Sequence, residues 1–298
     1  MSVSPANRVV AMDRPQTALA RVTVVIVNYN SGRWLGRCVR ALRTRSSKFP
    51  AVYVLDNAST DDSLQDLPPL PSIRVRSAPR NLGFGRAVNW VVGQIDTEYV
   101  LIINPDCLLA SESLQLLIKE LDAEREAGMA SGRVFDMCGN EQRGSRRQLP
   151  TPRRLLGEVL GFPRRERVDL LTRPAPDSAS DVEAVSGACM LIRTSVFRRL
   201  GGFDAGFPMH FEDLDLMARM RQAGWQIRLV PEVAISHAGG VSSKRRPVRV
   251  LWAKHRGLWR YLNKHCLTQW PRWQRPLWWA GIWLHALIQV PLIFLRRR

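Results

Sequence analysis

The chain has 298 residues, 45% of them hydrophobic, and a formal net charge of +18. That length holds one large or two modest domains, and that apolar fraction excludes disorder throughout. Its five cysteines (Cys38, Cys107, Cys138, Cys189 and Cys266) are odd in number and form no CxxC pair, so neither a disulfide framework nor a structural zinc site is indicated and a reducing compartment fits.

Residues 1–20 mix Pro, Arg, Asp and Ala without an apolar core and read as a flexible arm, not a signal peptide. The β-branched run at 22–27 predicts a buried strand, and Asn28-Tyr29-Asn30-Ser31-Gly32 turns the chain into a helix reaching about Leu42. A second strand at 51–55 ends in Asp56-Asn57-Ala58-Ser59-Thr60-Asp61, and a short third follows at 73–75. Arg80-Asn81-Leu82-Gly83-Phe84-Gly85 leads into a helix over 86–92. The next strand, Tyr99-Val100-Leu101-Ile102-Ile103, stops abruptly at Asn104-Pro105-Asp106. Proline has no N–H to continue a ladder, so Asp106 is delivered outside the sheet edge. An amphipathic helix is expected over 111–125, and an arginine-rich loop around a short helix over 141–168. A second unit begins at Val182, with a strand over 188–192, a helical turn near 196–200, a helix over 212–222 and a strand over 226–230. This alternation predicts a parallel, Rossmann-like sheet, whose strand ends gather polar side chains at one edge.

Two acidic groups stand out. Asp106 is placed to hold a hard cation through oxygen, as magnesium is held by one carboxylate, phosphates and water; a plain Asx-Pro-Asp turn is the alternative. Asn104 either holds that turn or touches ribose. Glu212, Asp213 and Asp215 crowd the first turn of a helix, where they favour the dipole and repel one another, so helix capping and a general base both account for them. Asp56 and Asn57 either cap a turn or bond the polar edge of a nucleobase or ribose. His237 precedes Gly239-Gly240, and Ser242, Ser243 and the cations after them form a candidate diphosphate clamp. Arg80, Arg133, Arg146 and Arg147 are further candidates for phosphate.

The high positive charge invites a nucleic-acid reading, but its distribution does not. After Glu232 there is no acid, while thirteen Lys or Arg and seven of the ten tryptophans follow. Basic residues mixed with tryptophan and apolar stretches describe a surface for anionic lipid headgroups. The stretch from 276 to 295 is at the lower limit for a spanning helix and contains Pro291. Lying in the interface is favoured over spanning, and soluble packing or pairing of subunits into a homo-oligomer stays open. On this reading the segment from about Leu251 is an anchor, and a chain cut after Tyr261 still folds.

The motifs Val27-Asn28-Tyr29-Asn30, Asp56-Asn57-Ala58-Ser59-Thr60-Asp61, Asn81-Leu82-Gly83-Phe84-Gly85, Asn104-Pro105-Asp106, Gly202-Phe203-Asp204 and Phe211-Glu212-Asp213-Leu214-Asp215 occur here in order. With Ser186-Gly187-Ala188-Cys189-Met190 and His237, they resemble the inverting glycosyltransferases of family 2 across roughly residues 22–265. The resemblance implies a GT-A fold: a Rossmann-like nucleotide-binding sheet, an abutting acceptor-binding part and a membrane-associated helical C-terminus. It implies Asp213 as the catalytic base and Asp106, with His237, as ligands of Mg²⁺ or Mn²⁺. On the nucleotide it implies Asn28, Asn30, Asp56, Asn57, Arg80, Gly83 and Asn104. On acceptor or diphosphate it implies Arg133, Arg146, Arg147, Glu212, Ser242, Ser243, His255 and Arg256. The segments at 146–152 and 254–261 most resemble bacterial rhamnosyltransferases acting on polyprenyl-diphosphate-linked sugars, with dTDP-β-L-rhamnose as donor. Galactofuranosyl-, mannosyl- and N-acetylglucosaminyltransferases share most of these motifs. The implied organisation is a catalytic domain over 21–245, with a nucleotide part at 21–135, the basic loop at 141–168 and an acceptor part at 182–245. A tail over 246–298 follows, the whole working peripherally or monotopically at the cytoplasmic face of the bacterial inner membrane.

Overall fold

A computed structural model describes residues 17–43, 49–160, 167–239 and 247–295. Most of the arm, together with Ser242 and Ser243, therefore lies outside the described residues. The chain opens with β1 (Val22–Asn28), α1 (Trp34–Ala41), β2 (Ala51–Asp56), β3 (Ile73–Ser77), α2 (Phe84–Val92), β4 (Tyr99–Ile103) and β5 (Cys107–Leu108). It continues through α3 (Ser111–Ala123), β6 (Ala127–Phe135), β7 (Arg146–Arg147), α4 (Pro152–Leu160), β8 (Ser180–Asp181), β9 (Ala184–Val185) and β10 (Cys189–Arg193). Then come α5 (Thr194–Arg199), α6 (Glu212–Gln222), β11 (Gln226–His237), α7 (Pro247–His265) and α8 (Gln274–Leu295).

The main sheet runs β3-β2-β1-β4-β10-β6-β11-β5, with β8 on β11. Its β3-β2-β1-β4 half is parallel, as expected, with α1 crossing over from β1 to β2, a loop from β2 to β3 and α2 from β3 to β4. The sheet as a whole is mixed, which corrects the all-parallel expectation: β10 lies antiparallel between β4 and β6. The strand β6 was not foreseen at all. Its sequence, AGMASGRVF, has few β-branched residues, and burial rather than propensity makes it a strand.

Both faces of the sheet's centre are covered, so β1 and β4 are buried along their whole length instead of alternating. Val24 and Ile26 of β1 pack with Leu35 and Val39 of α1 and Leu114 and Leu117 of α3. Val25 and Val27 point the other way, to Val88 of α2, Phe197 of α5, and Leu214 and Met217 of α6.

The expected membrane-associated helical C-terminus needs correction. No helix among the described residues is long and apolar enough to cross a membrane. Nor is α7 an appended tail: Tyr261 and Leu262 are buried in the same cluster as α6, with Leu267 just beyond. The buried Asp215 of α6 holds Lys264 at 2.7 Å and His265 at 2.8 Å, besides Arg219 of its own helix. Asp204 pairs with Arg260 and Lys264. A chain ending after Tyr261 should therefore fail to fold stably. Losing buried leucines costs about 2–5 kcal/mol each, against a total stability of about 5–15 kcal/mol. Thermal melting checks this; a native-like transition in the shortened chain would contradict it.

Candidate active site

The polar ends of β1, β2 and β4 gather at one edge of the sheet, as the parallel register requires. Asn28 stands opposite Asp56. The Asn28 amide donates to Asp56 Oδ1 at 2.8 Å, Ser63 Oγ at 2.8 Å and Ser59 Oγ at 3.1 Å. It is 0% exposed, with its hydrogen bonds used inside the loop, where it fixes Asp56. Asn30, at φ 50°, takes the N–H of Thr60 on its side-chain oxygen at 2.7 Å. Asp61 receives Gly32 N–H and Ser63 Oγ–H; burial resists its ionisation, but these donors prevail and lower its pKa. Asn57 clamps the next loop by accepting Leu82 N–H at 2.8 Å and donating to Asn81 Oδ1 at 3.1 Å. That loop ends at Gly83, whose φ of 82° starts α2. Arg80 is exposed at its rim.

After β4, Asn104 N–H donates to Ala188 O at 2.8 Å, holding the turn beside the start of β10. Pairing of β5 with β11 sets His237 opposite Cys107, and so beside Asp106. His237 Nε2 lies 3.3 Å from Asp106 Oδ1. The other ring nitrogen, Nδ1, is 2.9 Å from Gln142 Oε1, while Gln142 Nε2 donates to His237 O at 2.7 Å. With Nδ1–H donated to that amide oxygen, the Nε2 lone pair faces Asp106. Asp106, Cys107 and His237 form the candidate metal-holding group among the described residues. Burial pushes the Cys107 thiol well up, and its sulfur donates to Ala188 O. It is therefore a poor thiolate ligand. The remaining oxygen and imidazole pair suits a hard or borderline divalent ion.

Asp213 reaches the same edge from α6. An added Cβ at Gly187 would sit 2.5 Å from Asp213 Oδ2, so the carboxylate packs directly on that glycine. Gly187 adjoins Ala188, whose carbonyl holds Asn104 and Cys107. Two consecutive residues, Gly187 and Ala188, thus tie the two acidic centres together. Arg147 Nη2 donates to Asp213 Oδ2 at 2.6 Å, and Arg147 Nε to Val185 O at 3.2 Å. Burial resists ionisation of Asp213, but Arg147 overrides it and holds the carboxyl below the ordinary carboxylate range. Burial and the Asp213 charge push the neighbouring Glu212 up to about 8, leaving it protonated near neutral pH. Burial and Lys254 push His210 down to about 4. Glu212 Oε2 and His210 Nε2 are buried without a hydrogen-bond partner. Gly187→Ala should displace Asp213 and lower turnover by about 10²-fold with the fold retained. Steady-state kinetics beside a melting curve check it; unchanged turnover would show that Asp213 needs no such seat.

Other expected residues fall elsewhere. Arg146 is buried, bonded to Glu141 at 2.8 Å and to the carbonyls of Arg173 and Pro174, and staples that loop. Arg133 also pairs with Glu141, at 2.9 Å, over the Phe135 ring. His255 is buried between α7 and α8, its Nε2 2.9 Å from His285 Nδ1. Arg256 is exposed on α7. Gly187 lies in the Ser186-Gly187-Ala188 motif, but its role as the seat of Asp213 shows only in the fold. A lone glutamine or histidine gives no local signal, so Gln142 and His210 are brought to the site only by the tertiary structure.

The family model of glycosyl transferase family 2 matches residues 23–201. The chain belongs to that family. A second model, glycosyl transferase family 21, matches residues 177–290 of this glycosyltransferase. An N-acetylglucosaminyl-diphospho-decaprenol L-rhamnosyltransferase of Mycobacterium tuberculosis is 29% identical over 303 residues, 92% of this chain and 95% of its own. Rhamnosyltransferase WbbL of Escherichia coli K12 is 28% identical over 162 residues, 52% of this chain and 60% of its own. Among solved structures, the mannosyltransferase PcManGT of Pyrobaculum calidifontis with GDP-Man and Mn²⁺ superposes at a TM-score of 0.54 and 18% identity, covering 92% of this chain and 73% of that one. GalNAc-T7 with UDP, GalNAc and Mn²⁺ gives 0.55 and 17%, covering 72% of this chain and 43% of that one. These likenesses show a shared GT-A-like fold for the glycosyltransferase.

Proposed function

We propose that this glycosyltransferase moves L-rhamnose from dTDP-β-L-rhamnose to a hydroxyl of a polyprenyl-diphosphate-linked saccharide, in cell-wall or O-antigen assembly. The observation that carries this reading is the near end-to-end likeness to the mycobacterial rhamnosyltransferase, whose name states that sugar and that class of acceptor. In this reading the part at 21–135 binds the nucleotide, through Asp56, Asn57 and Asn30, with Arg80, Gly83 and Asn104 nearby. The part at 182–245 and the basic loop meet the acceptor, with Glu212, Arg133, Arg147 and Arg256 as its polar contacts.

Asp106 and His237 would hold Mg²⁺ or Mn²⁺, which when bound neutralises charge on the departing diphosphate. Asp213 takes the proton from the acceptor hydroxyl while that oxygen attacks C1 of the sugar. The C1–O bond to the nucleotide breaks, and its electron pair leaves with the nucleoside diphosphate. Attack from the opposite face turns a β-linked donor into an α-rhamnoside. Such an acceptor stays in the bilayer, and the strongly basic chain fits peripheral work at the cytoplasmic, anionic membrane surface.

A donor screen tests the reading. The purified enzyme is offered dTDP-rhamnose, UDP-galactofuranose, UDP-N-acetylglucosamine and GDP-mannose, with a prenyl-diphosphate-linked sugar as acceptor. Transfer from dTDP-rhamnose above the others is expected. Preferred transfer from another donor overturns the sugar while leaving the family intact.

A further inference from the structure

The Arg147–Asp213 contact raises a chemical problem that the proposed reaction alone does not address. A general base has to be free to accept a proton, yet Asp213 is engaged by a guanidinium at 2.6 Å, with both side chains only about 15% exposed (16% for Arg147 and 15% for Asp213). Paired in this way it is a weak base. The other titratable groups around it do not undo this. Glu212 is adjacent in sequence and its carboxyl is pushed up by the Asp213 charge, His210 adds to the lowering of Asp213, and Lys254 acts on His210.

Besides Asp213, the Arg147 guanidinium is held by a single backbone carbonyl, that of Val185, which accepts from both Nε and Nη2. Arg147 sits on the two-residue strand β7, which pairs with β9 and, through one isolated bridge, with Asp169. Its side chain also lines a cavity of about 270 Å³, whose wall includes Val182, Ala184 and Leu170. Arginine matches the geometry of phosphate oxygens as well as that of a carboxylate, so a diphosphate competes directly for the same fork of donors.

We propose that Arg147 is a substrate-sensing latch on Asp213, holding the carboxylate until the diphosphate of the acceptor draws the guanidinium away. The inference rests on Asp213 being the base and on a diphosphate-bearing acceptor. It assigns Arg147 a positioning role and explains how an enzyme with a charged donor avoids spending it on water. Without the acceptor, the base is masked. With it, the same anion that marks the correct substrate releases the base, and transfer proceeds as above, the hydroxyl proton passing to Asp213.

The test compares wild type, Arg147→Gln and Arg147→Lys on two acceptors carrying the same sugar: a short-chain prenyl-diphosphate glycoside and a neutral octyl glycoside. Donor hydrolysis without acceptor is measured in parallel. In wild type the diphosphate acceptor should be preferred strongly. Arg147→Gln should raise turnover of the neutral acceptor, or water, by about 10-fold and collapse that preference. The acid limb of its kcat–pH profile should move upward, since the carboxyl has lost its cation. Arg147→Lys, which keeps the charge without the fork, should fall between them and carries the comparison if the glutamine variant is unstable. Equal losses on both acceptors, or loss on the diphosphate acceptor alone with an unmoved acid limb, overturn the latch and leave a structural or plain phosphate-binding arginine. Asp213→Asn separates the two failures: full activity there removes the base assignment itself, whatever Arg147 does.

Discussion

Asp213→Asn should leave donor binding nearly intact and lower turnover by roughly 10²–10⁴-fold. The amide is nearly isosteric and keeps the seat on Gly187, so the backbone through Ala188 to Asn104 is undisturbed. It cannot take the acceptor proton, and protonated Glu212 beside it cannot substitute readily near neutral pH. The substitution also leaves Arg147 without its carboxylate partner, so a melting curve belongs with the kinetics. Calorimetric titration of nucleotide should give similar affinity for variant and wild type. Turnover close to wild type would remove Asp213 from the base role.

Asp106→Ala should abolish the gain in nucleotide affinity that Mg²⁺ or Mn²⁺ confers and lower turnover by about 10²–10³-fold, the usual cost of losing a group that stabilises developing charge. His237 alone, one imidazole on β11, is too few ligands to hold such an ion. Replacing Gln142 by Ala should give a milder form of the same defect, about 10–100-fold in metal affinity, because it frees the ring that Gln142 orients. Titrating the nucleoside diphosphate with and without metal decides the matter. An undiminished metal effect in Asp106→Ala would place the ion elsewhere.

Asp106 was visible because its strand, its proline and its carboxylate are consecutive: Tyr99 to Ile103 had to be a buried strand, and Pro105 had to end it. The same local logic exposed β1, β2 and the helix of Asp213, whose bounds agree with the periodicity of Leu214, Met217 and Ala218. Apolar period and turn chemistry act between neighbours in the chain, so they survive in the sequence. The order and spacing of the motifs likewise carried the family.

What lay beyond the sequence depended on pairing between distant segments. The antiparallel placement of β10, and β6 as a central strand, followed from burial that no local propensity encodes. The C-terminal segment read as an anchor because its composition is basic and rich in tryptophan. Yet Lys264 and His265 compensate the buried charge of Asp215, and Tyr261 and Leu262 complete the core under α6. Asn28, Arg146 and His255 were chosen for their chemistry, and the tertiary structure consumed that chemistry internally. A side chain's type states which bonds it can make. Only the fold decides whether its partners come from the protein or are left for a ligand, because buried polar groups must be satisfied wherever the packing puts them.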